Sequence, residues 1–464
     1  MGMRNVILVS LLGLVACTKP NPDRCCTDTA DCAANDIPDG STCSDGLVCR
    51  GNQCIAETCM TSSSDCESSD PYCVDGLCAA ACTDDTQCPG AGDDPSKTHC
   101  ASGVCVECTM NMECPASAPV CDTGTSSCRA CAADTECDSQ VCDIDMGTCV
   151  DATMIRYASP TGPDSADCSQ AMPCSLSTAV AAVDLEHPWL RMLPGNYTTA
   201  TMALSAASYD IVGTGATLTG ELTSTGSKLN LRGLAIAGLA APYAFNCNTT
   251  SGTVRQVSVQ GFIQLTGCML DFEQLSGPPN MLVEDNNIIT IDRSIGNFGI
   301  NAAKNLTFTM TNSVNIGQFG TGIDTGGTIN VQVTYSTFYC PECGGSPIAD
   351  CEDLLAPTNI TFINDIFDDP NNIEGAILNH GPNGNNLCTF NNNITYPQTV
   401  NTVAGNITLD PRFVDAASGD FHLATGSPAI DAAIVTGSDP SIDYDGTSRP
   451  QGARDDIGAF EYKP

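Results

Sequence analysis

Basic side chains are scarce in this chain: 17 Lys and Arg stand against 54 Asp and Glu, a formal net charge of −37. A surface of that sign repels phosphodiester backbones, which excludes nucleic acid as a partner. Cationic partners, divalent ions and plain solubility stay open. Charged residues make up only 15% of the chain, so the acidity comes from missing Lys and Arg, not from long acidic runs. Long apolar runs are missing as well. After the one from Val6 to Val15, no segment is apolar and long enough to span a bilayer. Helical periodicity is poor throughout, whereas β-branched residues are frequent, which points to strands. There are only four His, none in a Ser/His/Asp or Cys/His/Asn arrangement that would support nucleophilic catalysis. Cysteine is plentiful, with 31 residues, and an exported chain so rich in it is expected to carry disulfides.

The chain opens "MGMRNVILVSLLGLVAC", with one positive charge at Arg4 before the apolar run. That run is too short for a bilayer and reads as the core of a signal peptide. Leu14-Val15-Ala16-Cys17 resembles a bacterial lipobox. The resemblance implies cleavage before Cys17 and lipid on Cys17, giving a signal peptide over 1–16 and a lipidated tether over 17–24. The alternative is an ordinary signal peptide followed by a chance Cys. Residue 18 is Thr, not the Asp that resembles an inner-membrane retention signal, so an outer-membrane or cell-surface address is implied.

Setting aside Cys17 leaves 30 Cys, an even number, and 22 of them fall between Cys25 and Cys149. Four stretches share one design: "CMTSSSDCESSDPYCVDGLC" from Cys59, then units from Cys82, Cys108 and Cys131. Those starts recur at a near-constant interval, a tandem period, and a six-Cys version from Cys25 to Cys54 opens the array. Each unit has too few large apolar residues to bury a core, so disulfides must order it. Two bonds per unit is the simplest count, with three connectivities open. Zinc is disfavoured, because no C-x2-C pairs recur in phase and His99 is the only His there. No regular oxygen-ligand pattern supports calcium. The array, over 25–150, resembles short disulfide repeats of myxobacterial surface lipoproteins, and loosely Dickkopf-type modules; this implies a stalk or binding module.

From Met154 the texture changes to Gly, Asn, Thr and short β-rich runs. Segments beginning at 229, 254, 281, 306, 331, 360 and 387 each alternate apolar residues, turn a small polar corner and add another apolar pair. Their regular recurrence fits a β-solenoid over 151–464, with a β-sandwich as the alternative. "YASPTGPDSADCSQAMPCSLSTAVAAV" and "WLRMLPGNYTT" resemble the entry of pectate-lyase-like right-handed β-helices. A short helix over 177–186 would close the open end with Val180, Val183 and Leu185. The tail from Leu409 to Tyr462, with "GDFHL", "GSPAID" and "DIGAFEY", resembles the C-terminal region of choice-of-anchor Q domain proteins. That resemblance implies a cap over 409–464. Phe413, Phe421, Leu423, Ile430, Ile457 and Phe460 would plug the core, and Asp443, Asp445, Arg449 and Asp456 would pair to hold turns. The expected fold class is all-β: a right-handed single-stranded parallel β-helix preceded by a small disulfide-rich repeat region.

Polygalacturonases resemble N-T-D, D-D and G-H-G segments on successive coils. Here Asn364-Asp365, Asp368-Asp369 and His380-Gly381 are the nearest counterparts, making Asp365, Asp368, Asp369 and His380 the catalytic candidates. The spacing departs from that pattern, since Asp365 and Asp369 fall within one turn instead of one coil apart. An inverting hydrolase needs its carboxylates roughly 6.5–9.5 Å apart. A lyase needs calcium-binding acids and an Arg base, for which Asp285, Asp292 and Arg293 are the local candidates; no motif supports calcium or any other cofactor. His422, His187 and His99 read as structural. Cys168 with Cys174 should close the entry loop, and Cys247 with Cys268 should stack on adjacent coils. Cys340, Cys343, Cys351 and Cys388 could hold a metal, though disulfides suit the compartment better. The expectation is a surface lipoprotein displaying a β-helix for binding, adhesion or an envelope-structural role. Its partner would be a polysaccharide or a surface protein, and the lipid would hold it to the membrane. The alternative is a polysaccharide lyase or glycoside hydrolase. A cleft of several acids with a Lys or Arg would favour catalysis; a face of Thr, Asn and Ser would favour binding.

Overall fold

The computed structural model describes residues 47–50, 53–56, 72–74, 77–79, 81–88 and 96–464, except 206–207, 239–242, 278, 302–303, 323–326, 342, 344–347, 351–357, 372–376, 379–387 and 398–404. Cys17, His380 and Cys351 lie outside the described residues. The chain divides into two compact units, Met1–Asp138 with Cys142–Cys149, and Ser139–Val141 with Val150–Pro464.

In the first unit, each of three repeats is a short 3-10 turn followed by an antiparallel hairpin. The bonds are Cys82–Cys100 and Cys88–Cys105, Cys108–Cys121 and Cys114–Cys128, and Cys131–Cys142 and Cys137–Cys149. In these three repeats the first Cys joins the third and the second joins the fourth. The polar side chains have backbone work. Side-chain oxygens of Asp85, Asn111 and Asp134 each accept the N–H of their repeat's third Cys. Gln87, Glu113 and Glu136 fold back to accept N–H groups at the turn's start. Close-set sulfurs such as Cys82, Cys88 and Cys105 are used up in disulfides, which leaves no thiolate for zinc.

The second unit is a parallel β-solenoid. A first sheet of eleven strands runs from Ile155–Ala158 to Cys388–Asn391, and every neighbouring pair is parallel. A second sheet has ten strands and opens on Gly195–Ser205. A third has five, from Ile295–Gly296 to Ile394–Tyr396. Inward residues alternate with outward ones, as half-buried strands require. The core stacks like on like from coil to coil: Phe338 on Phe367 at 4.6 Å and Phe362 on Phe390 at 4.8 Å.

The coils are less even than the sequence spacing suggests. Gly252, Leu270, Ile289 and Phe308 are successive partners in the first sheet. The segment at 281 therefore belongs to the second sheet, as Pro279–Val283, and not to the row of first-sheet strands. Coils that lack a third-sheet strand, or carry only its short first one, Ile295–Gly296, are brief. The later coils are longer: Val331, Ile360 and Cys388 are successive partners.

The corner after each of the last six first-sheet strands is one residue with positive φ: Gln274, Arg293, Asn312, Tyr335, Asn364 and Asn392 lie between 45° and 61°. From Arg293 on, the residue after each of these corners is a ladder rung, and Asn406 adds one beyond them. Ser294, Ser313, Ser336, Asp365, Asn393 and Asn406 each accept, with the side-chain oxygen, a backbone N–H from the preceding coil. These bonds occupy donors that the turning backbone would otherwise leave buried and empty.

At the entry, the helix spans Leu176–Ala181, shorter than expected, with Ser175 capping Thr178 N. The chain then turns where Asp184 accepts the N–H groups of Glu186 and His187. Val183 is buried as expected, but Leu185 is 94% exposed because the helix has already ended. No helix among the described residues is long and apolar enough to cross a membrane.

Candidate functional site

The tail does not sit as a plug in the coil. Phe421, Ala459 and Phe460 cluster with Val314 and Tyr339; Leu423 and Ile457 cluster with Tyr335, Ile366 and Ile394. These partners are third-sheet and corner residues of several successive coils, so the tail lies along the solenoid's outer side. Backbone geometry explains the fit. Asn364 Nδ2 donates to Ile434 O and its Oδ1 accepts Ile434 N, while Asn392 Nδ2 donates to Ala432 O. The same corner column that turns the chain thus docks the tail.

Its charged residues hold its own fold. Arg449 and Glu461 form a fully buried ion pair at 2.7 Å. The guanidinium also donates to the carbonyls of Asp456 and Gly458, and it lies 4.9 Å from the Tyr335 ring centroid. Asp443 accepts the N–H groups of Thr447 and Glu461, and Asp456 those of Asp431 and Tyr462. Burial pushes Asp456 up to about 6. His422 is clamped between Asp420 at 2.6 Å and Asp445 at 2.7 Å, with its ring on Phe460. Every carboxylate in that group serves a turn or a pair.

The three catalytic candidates within the described residues fall on one coil, around the strand Ile366–Asp368. Asp365 is a rung of the corner ladder, fully buried, accepting Ser336 N. Burial raises its pKa well above the ordinary carboxylate range, against the N–H bonds of Ser336 and Ile363, at a position where its neighbours in the ladder are Ser and Asn. Asp368 pairs in register with Tyr339 and Tyr396. Burial first, then Asp410 and Asp369, push it up to about 7. A carboxyl poised there is a familiar acid-base signature. Here, however, Asp368 is 7% exposed, Asp369 is 1% exposed, and neither lines either of the hollows described below. An inverting hydrolase needs a water and a sugar between its two carboxylates, and these acids are buried among the described residues.

Arg293 is not poised as a base either. It pairs with Glu273 and with Asp292, while Arg255 reaches Glu273 at 3.1 Å. His187 pairs with Asp184, and His99 with Asp85. The solenoid's cysteines are joined as Cys168–Cys174, Cys247–Cys268 and Cys340–Cys343, and Cys388 is also disulfide-bonded. Among the described residues, no carboxylates or histidines gather closely enough to hold a metal ion.

The surface that stands out is the outer face of the first sheet, which the sequence spacing could not align. Register places Thr290, Thr309, Gln332 and Thr361 in one row, and Thr307, Asn330 and Asn359 in the next. All are exposed or half-buried. Earlier coils spend such groups on one another, with Asn230 donating to Asp210 and Thr253 to Asn230. The side chains of Thr307, Thr309, Asn330, Gln332, Asn359 and Thr361 make no hydrogen bond among the described residues. They line a shallow hollow of about 320 Å³. It is an uncharged array of uncommitted donors and acceptors on a flat, rigid sheet.

A larger hollow, about 620 Å³, lies at the entry between the helix Leu176–Ala181 and the strand Gly195–Ser205.

A family of unknown function, DUF8331, matches residues 55–155. No curated protein matches the chain. Three solved chains match. One of them is the pectate lyase Pel9A, at 14% identity and a TM-score of 0.32, covering 67% of this chain and 96% of that one.

Proposed function

We propose that the protein is a surface-tethered lipoprotein whose β-solenoid binds a carbohydrate polymer without cleaving it. The lipid would sit on Cys17, and the disulfide repeats would hold the solenoid away from the membrane as a stalk. The observation that carries this reading is the array of uncommitted Thr, Asn and Gln side chains on coils 306–361. Such groups both donate and accept, as a polyol demands, and three successive coils offer a linear polymer repeated contacts. The net charge of −37 repels acidic polymers, so the fitting partner is a neutral one. The burial of the acids around Asp368 favours binding over cleavage.

The test is binding of soluble neutral polysaccharides by affinity electrophoresis, beside a reducing-sugar and unsaturated-product assay. Asn330→Ala with Gln332→Ala should weaken binding about tenfold, since each lost hydrogen bond is worth about 0.5–1.5 kcal/mol. Sustained product formation, or binding indifferent to that double change, would defeat the reading.

A further inference from the structure

The hollow at the entry has a chemistry of its own. Its lining mixes hydroxyls, from Ser159, Ser177, Thr198 and Thr201, with the aliphatic groups of Val180 and Met202. In a chain rich in acids, not one Asp, Glu, Lys, Arg or His lines it. Its volume of about 620 Å³ falls in the range of small-ligand sites.

The backbone around it is shaped. Gly195–Ser205 is the first strand of the second sheet and pairs on one side only, with Ala216–Thr225. No other strand among the described residues pairs with its second edge. The pairing register shifts between Thr198 and Thr201, a bulge that re-aims both side chains. Gly220, across from the bulge, makes it possible: its φ is +147°, and a Cβ there would run into the Thr199 carbonyl oxygen. Among the described residues, the hydroxyls of Thr198, Thr201 and Tyr209 make no hydrogen bond.

We propose that this hollow is a second ligand site, which takes the end of a neutral oligosaccharide. A pyranose ring offers what the lining asks for: hydroxyls that donate and accept around its rim, and an apolar C–H face for Val180 and Met202. With no Lys or Arg to pair a carboxylate, the site does not select acidic sugars. An acyl chain would leave the hydroxyls without partners, at a cost. This site is independent of the sheet face proposed above, although both take neutral sugar.

Isothermal titration of the full chain with cellohexaose, xylohexaose and mannohexaose, and with hexagalacturonate as the acidic probe, tests it. Ala181 and Ala203 line the hollow and are exposed, so Ala181→Trp and Ala203→Trp fill it without entering the core. At least one neutral hexasaccharide should bind, and each filling variant should weaken it about tenfold or more while melting like the parent. Repeating the filling changes in the Asn330→Ala with Gln332→Ala background, where the sheet face is already weakened, should give the same loss, which assigns that binding to this hollow. The proposal is overturned if no neutral hexasaccharide binds, if hexagalacturonate binds better, or if both filled variants bind as the parent does.

Discussion

Replacing Arg449 with Ala probes how the tail is held. The change removes the 2.7 Å ion pair to Glu461, two bonds to the carbonyls of Asp456 and Gly458, and the contact with the Tyr335 ring. Glu461 would keep its bonds from Asp456 N and Gln451 N, but as a fully buried charge without a counter-ion. Breaking a buried pair from one side costs about 3–5 kcal/mol. At about 1.4 kcal/mol per decade, the tail should open roughly two to three and a half orders of magnitude more often. The loss should be local, because each coil is held chiefly by its neighbours. Amide exchange reads this directly. Ile434 and Gly458, whose N–H groups bond to Asn364, and Ala459, bonded to Thr337, should exchange faster. Val333 and Phe362, inside the first sheet, should not change. Arg449→Met with Glu461→Leu should regain most of the loss, since apolar groups of similar volume leave no lone charge. Unchanged protection of Ile434 and Gly458 in Arg449→Ala, or a double variant no better than the single, would refute this reasoning.

Other outcomes follow from individual groups. Asp365→Asn keeps the ladder bond, as Asn393 does one coil on. Because the folded pKa of Asp365 is raised, the parent loses stability as pH climbs from the unfolded value toward the folded one. The variant should therefore match the parent near pH 4 and exceed it at pH 7–8 by on the order of 1 kcal/mol or more in urea titrations; a lower midpoint at pH 8 would contradict this. At His422, burial pulls the pKa down, but the hydrogen bonds to Asp445 and Asp420 outweigh it and leave it raised. Lys463 also faces Asp445, at 3.8 Å. The clamp's contribution is complete below about pH 6.5 and fades as pH rises through the raised pKa. His422→Gln should abolish that pH step in tail amide exchange; a step that persists would assign it to another group. Cys17→Ser should release the protein from membranes or stall its processing, and normal fractionation of that variant would remove the lipid anchor from the reading.

The sequence by itself determined what is periodic or local. Four-Cys units with no apolar core had to be disulfide frames, and β-branched runs between Asn and Gly corners had to be strands of a coil. Cys247 and Cys268, nearly one coil apart, are legible as partners. Connectivity inside the repeats is not, because Cys82 with Cys100 is one of three pairings that the same spacing permits; the hairpin chooses it. Coil length is not legible between 254 and 306 either, since a segment such as 279–283 has the texture of a first-sheet strand but pairs in the second sheet. The tail's position is hidden for a different reason. Its docking bonds join residues far apart in the chain, such as Asn364 with Ile434, and its apolar residues suit an end or a side equally. Asp365 reads as catalytic in "NDIFDD" and is a ladder rung only with Ser336 and Asn393 above and below it. The Thr, Asn and Gln face is invisible in the sequence for the same physical reason. Each strand's outward residues can be read from alternation, but coils of unequal length line those residues up only through the hydrogen-bonded register between them.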